Sequence, residues 1–193
     1  MPEGSHDALD VPPSREERER WTARSPTELV IRHLWDGSPV SDGPVVRFDF
    51  GSGELVVDVD APFHADPPPT GPAGPRPGLW EHEVVELFLL GDEQRYFELE
   101  LGPHGHHLAL CLAGVRNVRR MGMPLAFSAR IAGARWSGRA RVPLEWLPSG
   151  LSRVNAYAID GLGPQRRYWA WQPGGHATPD FHRLELFAPL PSA

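Results

Sequence analysis

Residues 95–113, RYFELELGPHGHHLALCLA, contain two runs of strand-like sequence on either side of the tetrapeptide GPHG. In the first run Phe97, Leu99 and Leu101 alternate with glutamates, which is the pattern of a strand with one buried face. Proline fixes φ and glycine permits a positive φ, so GPHG is typical of a turn. The stretch therefore predicts a β-hairpin, and it directs attention to a β-rich fold.

Strand-like sequence separated by turn residues continues along most of the chain. The run VVELFLL is apolar on both faces apart from Glu86, which suits a central strand covered on both sides. Only PLEWLP is typical of a short helical turn. Many short strands with turn signals between them predict an all-β sandwich or barrel. The predicted strands cover residues 27–34, 45–50, 54–60, 83–91, 95–101, 107–113, 125–132, 135–143, 154–161, 166–171 and 182–187.

The 193 residues suffice for one domain of ordinary size. Residues 1–26 contain prolines and the charged block REERER but little apolar material, so we expect a disordered or loosely docked N-terminal tail. Residues 27–193 are then expected to form a single β-sandwich domain. The proline-rich segment 61–78 is long and stiff, and loops of this kind are often functional.

Charge and composition exclude several classes of partner. The formal net charge is −6, which argues against nucleic acid or an anionic membrane as the partner. All 19 basic residues are arginine. The first residues lack the apolar core of a signal peptide, and no run of eighteen apolar residues occurs. A cytoplasmic location without a disulfide is expected, since Cys111 is the single cysteine. The sequence leaves the oligomeric state open.

Five motifs in order carry a resemblance to known proteins: LWEHEVVELFLL, YFELELGPHG, WSGRARVPLEWL, VNAYAIDG and DFHRLELFAPL. Together they resemble carbohydrate-binding module family 9 and the DOMON-like jelly-roll sandwiches. From Leu29 to Leu190 the chain also resembles a family of small, uncharacterised single-domain proteins. The resemblance implies an all-β fold, namely an antiparallel, jelly-roll-like β-sandwich similar to carbohydrate-binding module family 9.

In the resembled modules two tryptophans clamp a terminal sugar, and a strand glutamate binds its hydroxyls. Trp80 stands six residues before Glu86, which matches that spacing, and Trp171 or Trp169 is the nearest match to the second tryptophan. Trp80 precedes the strand of Glu86 and is expected to lie on the same face as His82 and Glu86. The following strand carries glutamates where the modules have basic or amide residues. The candidate ligand-binding residues are Trp80, Glu86, Trp171, Trp169, Glu98, Glu100 and His82.

The resemblance thus implies a non-catalytic binding module for a small carbohydrate or glycan-like ligand, with no cofactor. A glutamate-based hydrolase is an alternative, because a deeply set pair of carboxyl groups with one raised pKa would favour hydrolysis. A protein-interaction module using the arginine-rich segment 116–120 is another alternative. A haem-binding domain would need axial ligands such as Met121 or Met123.

The histidines of the GPHG turn raise the question of a metal site. His104 and His106 have the His-x-His spacing that places both imidazoles on one face of a strand, as in chelating sites. The surrounding glycines and proline favour a plain hairpin turn instead. We therefore predict no metal site. His104 and His106 are the ligands that the alternative, a metal site, would use.

Overall fold

The computed structural model describes residues 12–176 and 178–191. Helix α1 spans Arg15–Thr22 and precedes all the strands. Short 3-10 turns at Leu79–Glu81, Leu144–Trp146 and Leu184–Leu186 separate some of them. The strands are β1 (Thr27–Val30), β2 (His33–Leu34), β3 (Val45–Phe50), β4 (Glu54–Pro62), β5 (Gly74–Pro75), β6 (Val84–Leu90), β7 (Arg95–Leu101), β8 (His106–Ala113), β9 (Val118–Met121), β10 (Ala126–Ala132), β11 (Arg135–Pro143), β12 (Arg153–Asp160), β13 (Arg167–Ala170) and β14 (Ala188–Pro189).

The strands form two sheets. The first has the order β1-β3-β4-β11-β10, and the second has the order β2-β13-β12-β6-β7-β8-β5, with β14 beside β12 and β9 beside β8. All pairings are antiparallel except that of β5 with β8. The predicted all-β, antiparallel, jelly-roll-like β-sandwich is confirmed.

The main core lies between the sheets and follows the alternation in the sequence. On β4, Leu55, Val57 and Val59 are buried, whereas Asp58 and Asp60 face outward. On β6 both faces are buried, as expected from its unbroken apolar run. One face of β6 packs into the main core, and the other contributes Val84, Phe88 and Leu90 to a second apolar cluster on the outer face of the second sheet. This outer face positions the candidate site.

The hairpin predicted from residues 95–113 is confirmed. Strands β7 and β8 pair with Leu101 opposite His107, and the main-chain N–H of Gly102 donates to the carbonyl of His106 at 2.9 Å. Gly105 has φ of 83°, a conformation that favours glycine over residues with a side chain. The turn is therefore closed by backbone hydrogen bonds and by the glycine that its sequence supplies.

Within the described residues 12–26 the N-terminal segment is helical and packs on the core through Trp21, which fits the docked rather than the disordered form of the expected tail. Helix α1 begins with a capping box, in which Ser14 accepts from the Glu17 N–H and Glu17 accepts from the Ser14 N–H. Trp21 is buried against Phe50 with ring centroids 5.7 Å apart. A single buried tryptophan holds a helix whose other side chains are mostly charged and exposed, which the charge pattern alone does not reveal. Residues 1–11 lie outside the described residues.

Ser14→Ala is expected to lower the free energy of unfolding by about 1 kcal/mol, because the N-cap oxygen that accepts from the Glu17 N–H is lost. Urea unfolding measures the change. Ser128→Ala on the exposed side of β10 is the control and should change stability by less than about 0.5 kcal/mol. Equal effects of the two substitutions would contradict the capping role of Ser14.

The predicted strand over residues 182–187 is wrong. The segment forms the 3-10 turn Leu184–Leu186 instead. Leu184 and Phe187 are buried in the second apolar cluster. The segment thus packs over the outer face of the second sheet rather than adding a strand to it. The part of that face beside His182 stays uncovered.

The proline-rich segment 61–78 is fastened to the sandwich by carboxylates. Glu83 accepts from the main-chain N–H groups of His64 and Asp66, at 3.0 and 3.4 Å, and the Asp66 carboxylate accepts from the N–H of Gly161 at 2.6 Å. These bonds hold the segment against one end of β12. Within the described residues no helix is long and apolar enough to cross a membrane.

Candidate ligand-binding site

Three carboxyl groups lie together on the outer face of the second sheet. Glu86 on β6 is directly opposite Glu100 on β7, and Glu98 is two residues before Glu100 on the same face. Their exposed fractions are 2%, 0% and 4% for Glu86, Glu100 and Glu98 respectively. Such burial is unfavourable for carboxylates unless they are paired or protonated.

The surroundings of the three glutamates are mainly apolar. Phe88 and Leu110 lie opposite Glu98 on the neighbouring strands, Leu108 lies opposite Glu100, and Tyr157 lies opposite Glu86. No hydrogen-bond partner among the described residues reaches Glu86 Oε1 or Glu98 Oε2. A polar atom buried in this way is unusual in a folded protein and marks a place where a ligand or water can bind.

Burial raises the pKa of all three carboxyl groups. Burial and the negative charge of Glu98 raise the pKa of Glu86 well above its usual value, against a smaller effect of Arg166. Burial raises the pKa of Glu98 to about 8, although Glu100 and Arg116 oppose the shift. Burial, followed by the charges of Glu86 and Glu98, raises the pKa of Glu100 well above its usual value. These carboxyl groups therefore retain protons near neutral pH.

Above Glu86 and Glu98 lies an open cavity of about 400 Å³. Of its aromatic side chains, Trp80 is 43% exposed, Phe181 is 9% exposed, and Tyr168 is partly exposed. This volume suits a small molecule with rings beside it and acids beneath it. The remaining lining residues that bear on its chemistry are Leu110, Leu112, Ile159, Arg116, Asp180 and His182.

Arg166 positions the two exposed aromatic residues. Its guanidinium donates to the main-chain carbonyls of Trp80 and Glu81 and to the Tyr168 hydroxyl, the last at 3.0 Å. It also lies 5.5 Å from the centroid of the Tyr168 ring. One arginine thus joins the 3-10 turn that carries Trp80 to strand β13, which carries Tyr168.

The opposite rim is a network around Tyr96. The main-chain N–H of Arg116 donates to the Tyr96 hydroxyl at 3.0 Å, and this hydroxyl lies 2.7 Å from His182 Nδ1. Arg116 also forms an ion pair with Asp180 at 2.7 Å. Burial, followed by the charge of Arg116, lowers the pKa of His182 to about 4, so the imidazole is neutral at neutral pH. Its Nδ1 lies 4.0 Å from Glu98 Oε2.

The structure brings only some of the predicted site residues together. Trp80, Glu86 and Glu98 line the cavity, and Glu100 lies beside them in the sheet. Trp80 lies on a 3-10 turn rather than on the strand of Glu86. His82 ends that turn, and its Nδ1 lies 3.3 Å from the carbonyl of Pro67, away from the cavity lining.

The predicted pairing of Trp80 with Trp171 or Trp169 is wrong in its geometry. Trp169 packs into the main core and donates from Nε1 to Asp160 at 3.2 Å. Trp171 packs against the same core from the same side of its strand. Both tryptophans face the interior of the sandwich because they stand two residues apart, whereas the cavity lies on the face of Tyr168. The neighbouring Arg167 pairs with Asp160.

The histidine turn shows no convergence of ligands. His104 packs edge-on against Phe63, and His106 Nε2 lies 3.4 Å from the carbonyl of Gly71. Among residues 12–176 and 178–191 no group of three histidine, cysteine or acidic side chains could hold a metal ion.

Sequence reasoning missed the aromatic and basic residues that shape the cavity. Tyr168 directly precedes Trp169 in YWAW, and the alternation of a strand predicts that it faces away from Trp169 and Trp171. Arg166 and Arg116 carry no motif of their own. Asp180 and Phe181 directly precede the segment 182–187, which was predicted to be a strand, so their position over the sheet was not foreseen.

Comparisons with known proteins give the family. A zebrafish (Danio rerio) protein called UPF0462 protein C4orf33 homolog is 44% identical over 170 residues, which cover 83% of this chain and 86% of the zebrafish protein. The chain belongs to the UPF0462 family. Its human member, UPF0462 protein C4orf33, is 41% identical over 170 residues, with 83% and 85% of the two chains covered. No family model matches this UPF0462 protein.

Solved structures show which known proteins this chain resembles in fold. A Bacteroides uniformis ATCC 8492 protein described as "a putative carbohydrate-binding protein" aligns with a TM-score of 0.63 and 18% identity, covering 86% of this chain and 85% of its own. A carbohydrate binding module family 9 from Caldicellulosiruptor kristjanssonii in complex with cellotriose aligns with a TM-score of 0.49 and 11% identity, covering 86% and 81%. The first likeness shows that this UPF0462 protein has the fold of a carbohydrate-binding-like β-sandwich.

Proposed function

We propose that this UPF0462 protein is a non-catalytic binding module for a small carbohydrate or similar polyhydroxylated ligand, held between Trp80 and Tyr168 above Glu86 and Glu98. The observation that carries the proposal is a largely exposed tryptophan beside a cavity of about 400 Å³ with acids beneath it. An aromatic ring offers its face to the C–H groups of a sugar, and a few polar groups fix the hydroxyls.

The protonation of the glutamates supports this ligand class. A carboxylic acid both donates and accepts hydrogen bonds, as a sugar hydroxyl does, whereas a carboxylate only accepts. Glu86 Oε1 and Glu98 Oε2 are buried without a partner among the described residues, so a ligand hydroxyl that reached them would form hydrogen bonds that the protein leaves unmade. The likeness of fold to a protein described as putatively carbohydrate-binding agrees with the proposal.

Trp80→Ala is expected to weaken binding of a responsive saccharide about tenfold, because the exposed ring face against the sugar is lost. A panel of mono- and oligosaccharides is titrated while tryptophan fluorescence is followed, and calorimetry repeats the titration on each variant. Tyr168→Ala should weaken binding similarly.

Ile131→Ala, an exposed apolar position in the first sheet, is the control and should leave affinity unchanged. A flat response of the wild-type protein across the panel contradicts the proposed function. Binding that survives both aromatic substitutions shows that the cavity is not the sugar site.

The alternative of a glutamate-based hydrolase is favoured by one observation, the close contact of Glu98 with Glu100 in which one acid can share its proton with the other. Hydrolysis of a glycoside needs one acid and one ionised carboxylate. Release of nitrophenol from aryl glycosides, abolished by Glu98→Gln with binding retained, would establish hydrolysis and overturn the non-catalytic assignment.

A further inference from the structure

The acids of the cavity lack a hydrogen-bonded positive partner among the described residues. Glu86 Oε1 and Glu98 Oε2 are buried without a hydrogen-bond partner among the described residues, although both side chains line the cavity. Glu86 is 2% exposed and Glu98 is 4% exposed. In a folded protein such oxygens normally receive a hydrogen bond from an arginine, a lysine or a main-chain N–H.

The two arginines nearest the acids are engaged elsewhere. Both Nη groups of Arg116 donate to Asp180, at 2.7 and 3.4 Å. Arg166 donates to the carbonyls of Trp80 and Glu81 and to the hydroxyl of Tyr168. Each guanidinium is thus held at the rim by other acceptors, and neither hydrogen-bonds to Glu86 or Glu98.

Three aromatic side chains line the cavity. Trp80, Tyr168 and Phe181 line it, and the Phe181 ring stacks on that of Tyr157 at 4.0 Å, which fixes its orientation. Ring faces attract cations, and the attraction is stronger where water is excluded. Arg166 already lies over the Tyr168 ring, which shows that a cation is accommodated beside this wall.

We propose that the cavity takes an organic cation, a ligand whose ammonium group lies against Glu86 and Glu98 and between the aromatic rings, as in an amino sugar. The inference rests on the proposed function in using the same cavity, and it adds the charge of the ligand. An ammonium group supplies both the donors and the charge that the floor of the cavity lacks.

The bound cation favours the ionised acids, so binding is expected to release a proton and to strengthen as the pH rises. Burial raises the pKa of Glu98 to about 8, at the upper end of the range from pH 6 to pH 8. As the pH rises from 6 to 8, a larger fraction of Glu98 is ionised before the ligand binds, and the ionised carboxylate is the form that binds the cation. The charged and titratable groups that face Glu86 and Glu98 are Glu100 and Tyr96 on β7, Tyr157 on β12, Arg116 after β8, Arg166 and Tyr168 at β13, and Asp180 and His182 in the covering segment.

The test compares two molecules of nearly equal shape by calorimetry. 3,3-Dimethylbutan-1-amine is a primary ammonium ion with N–H donors between pH 6 and pH 8, and 3,3-dimethylbutan-1-ol has nearly the same shape without the charge. The ammonium probe should bind at least about tenfold more tightly than the alcohol at pH 8. Because an acid with a pKa of about 8 must ionise, its affinity should fall about fiftyfold between pH 8 and pH 6. Titrations at pH 6 in buffers of different ionisation enthalpy should show the release of about one proton.

Glu98→Gln and Glu86→Gln should each weaken binding of the ammonium probe about tenfold and reduce its pH dependence, while Glu145→Gln on the exposed surface should change neither. Thermal unfolding confirms that the variants are folded. Equal binding of the two probes, or no binding of the ammonium probe by wild-type protein that still binds a saccharide in the cavity, overturns the cationic ligand and leaves the proposed function intact. Binding of the ammonium probe that meets these criteria without any saccharide binding supports the cation and overturns the sugar. Absence of both kinds of binding overturns both.

Discussion

Glu100→Gln is expected to raise the free energy of unfolding at pH 8 by about 3 kcal/mol. Glu100 is fully buried, and burial with the charges of Glu86 and Glu98 raises its pKa well above the usual value. At pH 8 the folded protein must hold a proton that the unfolded chain releases. Glutamine has nearly the same shape, is neutral at every pH, and keeps a donor that can point toward Glu98.

The sign of the pH dependence follows from the raised pKa values. A group whose pKa is higher in the folded protein contributes stability that is fully present below its unfolded value, near 4.3 for glutamate, and is lost as the pH rises through the folded value. For Glu98 that loss is complete above about pH 8. The wild-type protein should therefore become less stable from pH 6.5 to 8.5. Below pH 6.5 His182, whose pKa burial lowers to about 4, acts in the opposite direction because the unfolded imidazole binds a proton.

Urea unfolding of the wild type and Glu100→Gln at several pH values between 6.5 and 8.5 measures both effects. The variant should be more stable throughout and less dependent on pH. Glu145→Gln, on the exposed surface, should follow the wild type. A Glu100→Gln variant less stable than the wild type at pH 8 would show that Glu100 is ionised and paired in the folded protein.

Asp160→Ala is expected to lower the free energy of unfolding by about 3 kcal/mol at pH 7. The Asp160 side chain is 2% exposed and accepts from Arg167 Nε at 2.8 Å and from Trp169 Nε1 at 3.2 Å. His64 Nε2 lies 3.6 Å away. Removal of the carboxylate leaves the buried indole N–H of Trp169 without its acceptor and opens a space between the end of β12 and the proline-rich segment.

Asp58→Ala is the matched control for Asp160→Ala. Asp58 also pairs with an arginine, Arg139, but both side chains are substantially exposed, at 36% and 59%. An exposed ion pair contributes about 0.5 kcal/mol. Urea unfolding at pH 7 compares the two variants, and an Asp160→Ala effect as small as that of Asp58→Ala would show that the buried network contributes no stability beyond surface pairing.

The sequence predicted the sandwich well because alternation is a local property. Leu55, Val57 and Val59 on β4 face the core as their spacing requires, and the GPHG turn supplies its own proline and glycine. The 3-10 turn Leu144–Trp146 was also predicted, from PLEWLP. Helix α1 was missed because the contact of Trp21 with Phe50 joins residues that are far apart in the chain.

The candidate site was only half predictable. Glu86 stood out as a carboxylate in an apolar strand, and its burial is confirmed. The second aromatic wall was assigned to the wrong residues, because tryptophan content drew attention to Trp169 and Trp171 while the alternation of the strand sends Tyr168 to the outer face. The rim residues Arg116 and Asp180 are 64 positions apart and meet only through tertiary folding.

The short pairing of β5 with β8 has a consequence for contacts between molecules. A sheet edge that ends in a two-residue strand containing Pro75 offers few free N–H groups to a strand of another chain. The other edge of the second sheet, β2, is also two residues long. Strand β10 at the edge of the first sheet is seven residues long and mostly exposed, with Arg130 as its charged residue. Strand-to-strand association of copies, in crystals or in aggregates, is therefore expected along β10.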